Sequence, residues 1–200
     1  DSVKRQFVDA FEFEYYLKRH ACYPQGDSMR IVDCHAIEQC LLKHEMVREA
    51  ECYKSPFGKV HITISQRIPV LAVVSSNGYY YVDSDRRVMP IRGEVDKNLP
   101  MLNGAVTERA AMAEYFDFVS WLRDDKYWKE RIRAIHVKTS KYIVLTQEGS
   151  DAKIILGELE DYEDKLAKLR QLYTKGFDQI GYPEYREYDL RFDNQVVGRK

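Results

Sequence analysis

Tyr188-Asp189-Leu190-Arg191-Phe192-Asp193-Asn194-Gln195-Val196-Val197-Gly198-Arg199 runs almost to the C-terminus of this 200-residue chain. In its first five residues Tyr188, Leu190 and Phe192 share one side of a period-2 pattern, and Asp189 and Arg191 share the other. The alternation predicts a half-buried strand over 185–192 as the last strand of the chain, with Asp189 and Arg191 as solvated strand residues in preference to charged contacts for a partner. An edge strand left open is a hazard that proteins normally cover or blunt. Its place at the end of a chain therefore asks what precedes it.

Working outward, Leu159, Tyr162, Leu166, Leu169 and Tyr173 recur at helical spacing, with Gly176 placed as the residue after the helix end. Before that helix come three apolar, alternating stretches at 132–138, 141–147 and 152–156, separated by tight polar turns, which predict three successive strands. A long helix is predicted from Thr107, with Met112, Tyr115, Phe116, Val119 and Leu122 on one face. Leu99-Pro100-Met101-Leu102-Asn103-Gly104 and Met89-Pro90-Ile91 are short extended pieces punctuated by proline. Asn77-Gly78 is a hairpin signal joining the apolar Val70-Leu71-Ala72-Val73-Val74 to Tyr79-Tyr80-Tyr81-Val82.

Gln66-Arg67-Ile68-Pro69 interrupts the pattern and divides the chain into 1–68 and 69–200. In the first part Phe7, Phe11 and Tyr15 recur at helical spacing ahead of Lys18-Arg19-His20, cations suited to a helix C-terminus. Asp33 is a plausible N-cap for a second helix that carries Ile37, Cys40, Leu41 and His44. A strand over 47–53, a turn at Ser55-Pro56-Phe57-Gly58, and an alternating strand with Val60, Ile62 and Ile64 inward complete the order helix, helix, strand, strand. Runs of strands and helices in segregated blocks define an α+β fold class.

Composition narrows the function. Lys and Arg number 31 against 32 Asp and Glu, and with no long basic run nucleic-acid binding has little electrostatic support. Hydrophobic content of 44% supplies a core and argues against disorder. No apolar stretch is long enough to span a bilayer. The chain starts at Asp1, so it is expected to be part of a longer protein, and targeting signals are not legible in it. Cys22, Cys34, Cys40 and Cys52 contain no C-x-x-C pair, which disfavours zinc. Their even number permits disulfides and equally permits free, partly buried thiols, the favoured reading. His20, His35, His44, His61 and His136 form no H-E-x-x-H, and His61 and His136 read as solvent-facing strand residues. The adjacent Cys34 and His35 do not by themselves make a nucleophile and base. Phosphate-binding and nucleophile-elbow motifs are missing. The acidic run Glu158 to Asp164 suits a helix N-terminus, without the alternating ligand spacing of a calcium loop. No cofactor, metal or catalytic residue is expected.

Four short motifs then stand in a recognisable order. An alternating strand leads through a charged step to Pro69-Val70. Tyr81-Val82-Asp83 follows the hairpin, Leu99-Pro100-Met101-Leu102-Asn103-Gly104 comes next, and Asp189-Leu190-Arg191-Phe192 with Val197-Gly198 closes the chain. Together they resemble the FtsQ/DivIB family of bacterial cell-division proteins. The helix-helix-strand-strand order of 1–68 is similar to a POTRA domain whose first strand is missing, Ser2-Val3-Lys4-Arg5-Gln6 being short and polar for it, or is the opening alternation of Phe11, Phe13 and Tyr15. Residues 69–200 then correspond to the family's mixed α/β "β domain", with an open C-terminal edge strand.

The resemblance implies a bitopic protein of the inner membrane, with a single N-terminal transmembrane helix and this chain as its periplasmic ectodomain at the division septum. It implies a non-catalytic scaffold that links early and late division proteins. The β domain would bind an FtsB/FtsL-type partner by β-augmentation on the last strand, and the POTRA domain would meet other divisome proteins. The implied partner-binding residues are Tyr188, Leu190, Arg191, Phe192, Asp193, Asn194, Gln195, Val196, Val197, Gly198 and Arg199. Phe192 takes the place of the aromatic that ends the family's motif, and Arg199 departs from the tryptophan of better-known members. A POTRA-containing envelope assembly factor is the alternative, without the repeats or barrel strands expected of it. A small enzyme with an unrecognised site is a further alternative.

Overall fold

The computed structural model of the chain describes residues 8–76, 78–177, 185–193 and 195–200. They form two compact units, which divide at Ile68 and Pro69. Ser2 to Gln6 lie outside the described residues, and the opening alternation of Phe11, Phe13 and Tyr15 is helical, within Ala10–Arg19, rather than a first strand.

In the first unit, helices α1 (Ala10–Arg19) and α2 (Cys34–Leu42) precede the antiparallel pair β1 (Val47–Lys54) and β2 (Val60–Gln66). Asp9 caps α1 by accepting from the N–H of Glu12 at 2.9 Å, and Asp33 caps α2 by accepting from Ala36 at 3.0 Å, so each helix begins where a short acceptor side chain meets its free donors. The apolar stripe of α1 differs from expectation. Phe11 and Tyr15 are exposed (81% and 66%), whereas Phe13 and Leu17 are buried. Both pairs have four-residue spacing, and periodicity alone does not say which one faces the core. Phe13 and Tyr16 pack on the ring of His44 (centroids 5.3 and 4.7 Å), which holds α1 to the end of α2. His44 is a buried structural residue whose Nδ1 accepts from the N–H of Met46.

The second unit is built on one mixed sheet. Its strands are β3 (Pro69–Ser75), β4 (Gly78–Asp83), β5 (Val88–Pro90), β6 (Met101–Gly104), β7 (Ile132–Thr139), β8 (Tyr142–Gln147), β9 (Ser150–Gly157), β10 (Glu187–Asp189) and β11 (Val197–Arg199). Among the described residues their order across the sheet is β11, β10, β9, β8, β7, β6, β3, β4, β5. Three neighbouring pairs are parallel: β3 with β6, β6 with β7, and β9 with β10. Parallel neighbours need a crossover. Helices α3 (Glu108–Met112) and α4 (Glu114–Asp124) supply it between β6 and β7, and α5 (Tyr162–Gln171) supplies it between β9 and β10.

The predicted long helix is thus two. Thr107 caps α3 through Ala110, but Ala113 leaves helical geometry (φ -111°, ψ -106°) and restarts the chain as α4. At the end of α5 the chain widens into a π-helical turn, Leu172–Phe177, which carries Gly176 inside it, whereas the sequence suggested Gly176 after the helix end. That turn buries Tyr173 and Phe177. The core gathers Phe118 and Leu122 of α4, Leu166 and Leu169 of α5, Trp128, and inward residues of β3, β4 and β6 to β10. Tyr162 stands edge-on to both Phe118 (4.8 Å) and Trp121 (5.3 Å), locking the two crossovers together.

Several motif residues prove to be fold determinants. Asp83 is buried and accepts from the N–H groups of Asp85 (2.9 Å) and Arg87 (2.8 Å), shaping the turn into β5. Tyr81, on the face opposite Tyr80, takes the N–H of Asp96 on its hydroxyl at 2.8 Å. Gly104 has φ +100°, and a Cβ there would stand 2.2 Å from the carbonyl oxygen of Val137 in β7. Only glycine permits that approach.

Candidate functional site

The predicted strand over 185–192 is shorter than its alternation suggests. Only Glu187–Asp189 pair as β10, in parallel with β9 (Tyr188 opposite Ile154), after which Leu190 still donates its N–H to Ile155 at 2.9 Å. The chain then turns and returns antiparallel as β11, with Val197 opposite Asp189 and Gly198 opposite Tyr188. Strand β10 is therefore paired on both sides. The open edge expected of 185–192 belongs to β11, because the tail of the chain covers it.

The candidate partner residues separate accordingly. Tyr188 and Leu190 are 4% and 3% exposed, so their side chains belong to the core. Tyr188 meets Tyr173 (5.3 Å), Tyr185 (5.9 Å) and Phe177 (6.1 Å) in an aromatic cluster under the sheet edge. A patterned strand shows two faces. It does not show that one is consumed by a helix 15 residues upstream.

Asp189 is not the solvated residue expected. Its side chain is 0% exposed, and Arg191 and Arg199 converge on it. Arg191 donates Nε to Oδ1 at 2.9 Å and Nη2 to Oδ2 at 2.7 Å, in a forked, charge-assisted pair. Arg199 adds Nη2 to Oδ2 at 3.1 Å from across the hairpin. The Arg191 hydrogen bonds hold the Asp189 carboxyl below its ordinary range, against the opposing effect of burial. The stem of Arg191 covers Gly157, where a Cβ would approach its Cγ to 2.7 Å, and its guanidinium lies over the Tyr142 ring at 5.1 Å. Arg191 is thereby committed within the fold.

Phe192 is 43% exposed, and Asp193 and Gln195 are exposed in the turn, while Val196 and Val197 are half-buried. Asn194 lies outside the described residues. Gly198 lies against the Tyr185 ring, three of whose carbons would stand 2.9 Å from a Cβ. Arg199 also reaches Glu187 at 3.7 Å. The structure thus brings Phe192, Val196, Val197, Gly198 and Arg199 to the exposed end of the sheet. Tyr185 and Glu187, which support that end, were not among the sequence candidates. Their importance comes from the β10–β11 register, which no local signal encodes.

Among the described residues no cluster of three His, Cys, Asp or Glu is placed to hold a metal ion, and no helix is long and apolar enough to cross a membrane. His136, half-buried in β7, is hydrogen-bonded to Asn103 of β6. His61 is exposed and stacked on Tyr53 at 4.9 Å. What the sheet end offers chemically is main-chain donors and acceptors, a partly exposed aromatic ring and a short apolar run.

Comparison with known proteins gives two matching family models. The model described as FtsQ/DivIB, C-terminal related, matches residues 68–199, and the one described as POTRA-like domain matches residues 1–65. Among solved structures, the chain is similar to the major extracytoplasmic domain of the trans isomer of the bacterial cell division protein DivIB from Geobacillus stearothermophilus. That match has 14% identity and a TM-score of 0.39, and covers 56% of this chain and 96% of the other. No curated protein sequence matches.

Proposed function

Because this chain belongs to the FtsQ/DivIB family of bacterial cell-division proteins, we propose that it is a non-catalytic scaffold of the divisome that binds partners by strand addition. The observation that carries this reading is the end of the large sheet. There β11 has β10 on one side and, among the described residues, no strand on the other. A strand in that position presents a row of main-chain N–H and C=O groups directed away from the sheet. A partner segment lying alongside would satisfy them, main-chain hydrogen bonds giving affinity and flanking side chains giving selectivity.

The edge is short, with three residues in β11. Short edges resist indiscriminate pairing, so selectivity must come from what flanks them. Phe192 and the half-buried Val196 and Val197 are the apolar contacts available, and Gly198 lets a second backbone come close. The partner is an FtsB/FtsL-type segment. The POTRA-like unit is assigned to contacts with other divisome proteins. The chain is assigned to the periplasmic side of the inner membrane at the septum, tethered by an N-terminal transmembrane helix.

The test is calorimetric titration of the chain with the periplasmic segment of the FtsB/FtsL-type protein from the same genome, beside Val196→Pro and Val196→Ala. The Arg199 carbonyl accepts from the N–H of Arg186 and Val197 stands opposite Asp189, so their main chains face β10 and the alternate position Val196 faces outward. Proline there removes a donor on the partner side. The expected result is saturable binding, weakened tenfold or more by proline and little changed by alanine, with all three proteins melting together. Equal affinity for the proline variant, or no saturation by the unsubstituted chain, overturns the reading.

A further inference from the structure

Cys22, Cys34, Cys40 and Cys52 are free thiols in the first unit, Cys40 and Cys52 buried and Cys22 and Cys34 half-buried. The packing of helices sorts them into two pairs. On α2, Glu38 lies one turn beyond Cys34 on the same face, and its Oε1 accepts from the N–H of Cys52 in β1 at 2.8 Å. The face of α2 that carries Cys34 therefore lies against Cys52. At the other end of α2, His44 follows Cys40 by one turn and meets Tyr16 of α1 at 4.7 Å. Helix α1 ends with the Leu17 carbonyl accepting the N–H of Cys22 at 2.9 Å, which folds Cys22 back toward that contact. Burial raises the pKa of the Tyr16 hydroxyl, and Cys40 and then Cys22 add to the effect. Burial raises the Cys40 thiol to about 11 and the Cys52 thiol to about 12, and the hydrogen bonds they donate to Cys22 and to Cys34 respectively add to the effect.

We propose that the native first unit carries two disulfides, Cys22–Cys40 and Cys34–Cys52, which tie α1 to α2 and α2 to β1. The compartment this requires rests on the periplasmic location proposed above. The oxidant is a protein or small-molecule disulfide. For each bridge the half-buried thiol loses its proton and attacks the oxidant's disulfide. A mixed S–S bond forms and the other oxidant sulfur leaves as a thiolate. The buried thiol then loses its proton and attacks the mixed disulfide, forming the intramolecular bond and releasing the second oxidant sulfur. Two protons and two electrons leave the chain, and the oxidant becomes a dithiol or two thiols.

The two rings interlock, each joining cysteines 18 positions apart. In the described residues this unit rests on two helices and a two-stranded sheet, so its core is small, and small extracytoplasmic domains gain most from such links. The scarcity of buried thiolate makes uncatalysed closure slow near neutral pH and faster as pH rises.

The full chain, purified reduced and treated with oxidised glutathione, is mapped by mass spectrometry of non-reduced peptides. Expected are a loss of four hydrogens, linked peptides Cys22–Cys40 and Cys34–Cys52, and a first-unit melting point raised by roughly 15 °C or more. Cys40→Ala is expected to retain the Cys34–Cys52 bridge and leave Cys22 free to alkylation. Four alkylatable thiols after treatment, or either of the two other connectivities, overturns the geometry. Bridges formed by glutathione but missing from protein isolated from its own cells overturn the native disulfides through the location, whatever the partner titration of β11 gives.

Discussion

Arg199, in the strand that ends the large sheet, donates Nη2 to the fully buried carboxylate of Asp189 at 3.1 Å, across a hairpin whose turn supplies Arg191 as the second partner. The contact makes the stability of the outer hairpin depend on one ionised group. A carboxylate removed from water persists only when charge and hydrogen bonds replace its hydration. Here two guanidinium groups do so, and both also anchor the chain's last residues.

Asp189→Asn is therefore expected to destabilise the chain at neutral pH by about 2 kcal/mol, the scale of hydrogen bonds to a charged group. The pH dependence has a definite sign. Arg191 lowers the Asp189 pKa in the folded chain, so the unfolded chain takes up that proton first. The stabilisation is complete above the ordinary carboxyl value, about 3.9, and is lost as pH falls through the lowered folded value. Denaturant unfolding of both proteins from pH 7 downward checks this. The gap between them should be constant to about pH 5 and close in strong acid, and a gap that widens on acidification would contradict the assignment.

Gly104→Ala tests the close approach of β6 to β7. The added Cβ meets a main-chain oxygen, that of Val137, at 2.2 Å and must also occupy φ +100°. Neither obstacle is a flexible side-chain end, so relief requires moving a central strand. A cost of about 2–4 kcal/mol is expected, read as a lowered denaturant midpoint with unchanged slope. A shift below about 0.5 kcal/mol would mean that the sheet yields there.

The same position explains why much of the second unit was legible. Tyr81-Val82-Asp83, Leu99 to Gly104 and Asp189-Leu190-Arg191-Phe192 are short, but Asp83, Gly104 and Asp189 each have a single internal role that few residues can fill. Strands with strict alternation or continuous apolar runs, such as Val60–Gln66 and Pro69–Ser75, declared themselves, as did the capping residue Asp33. Failures occurred where tertiary contacts choose between equal local patterns. Phe11 and Tyr15 have the spacing of Phe13 and Leu17 but are on the wrong side. Gly176 offers a helix end that the burial of Phe177 overrides. At the candidate site, residues 188–192 were correctly read as extended in part, but Val197-Gly198-Arg199 gave no sign of being a further strand. Three residues carry no period, and only pairing with β10 defines them.

Leu190→Ala and Phe192→Ala are expected to separate folding from binding, although the two side chains share a face in the sequence pattern. Leu190 is 3% exposed and its truncation should cost about 2–5 kcal/mol of stability. Phe192 is 43% exposed and its truncation should cost under about 0.5 kcal/mol, yet weaken the proposed strand-adding partner tenfold or more. Thermal melting and calorimetric titration, run on both variants, give the comparison. If Phe192→Ala lowers the melting point as Leu190→Ala does, the ring is part of the core and not of the docking edge.

Gly198→Ala and Tyr185→Ala, alone and combined, test how the edge strand is seated. An alanine Cβ at 198 would stand 2.9 Å from Cδ2, Cε2 and Cζ of Tyr185, and that ring cannot retreat freely because Phe177 and Tyr188 lie beside it at 6.4 and 5.9 Å. Gly198→Ala should therefore loosen β11 without melting the core, seen as faster amide exchange at Val197–Arg199 while β7 and β8 stay protected. Tyr185→Ala removes the obstacle together with its ring contacts. In the double variant the alanine at 198 should add almost nothing to the loss caused by Tyr185→Ala. A coupling of about 1 kcal/mol between the two sites is expected. Simple additivity would mean that β11 is positioned by Asp189 and its arginines alone, with Tyr185 a bystander.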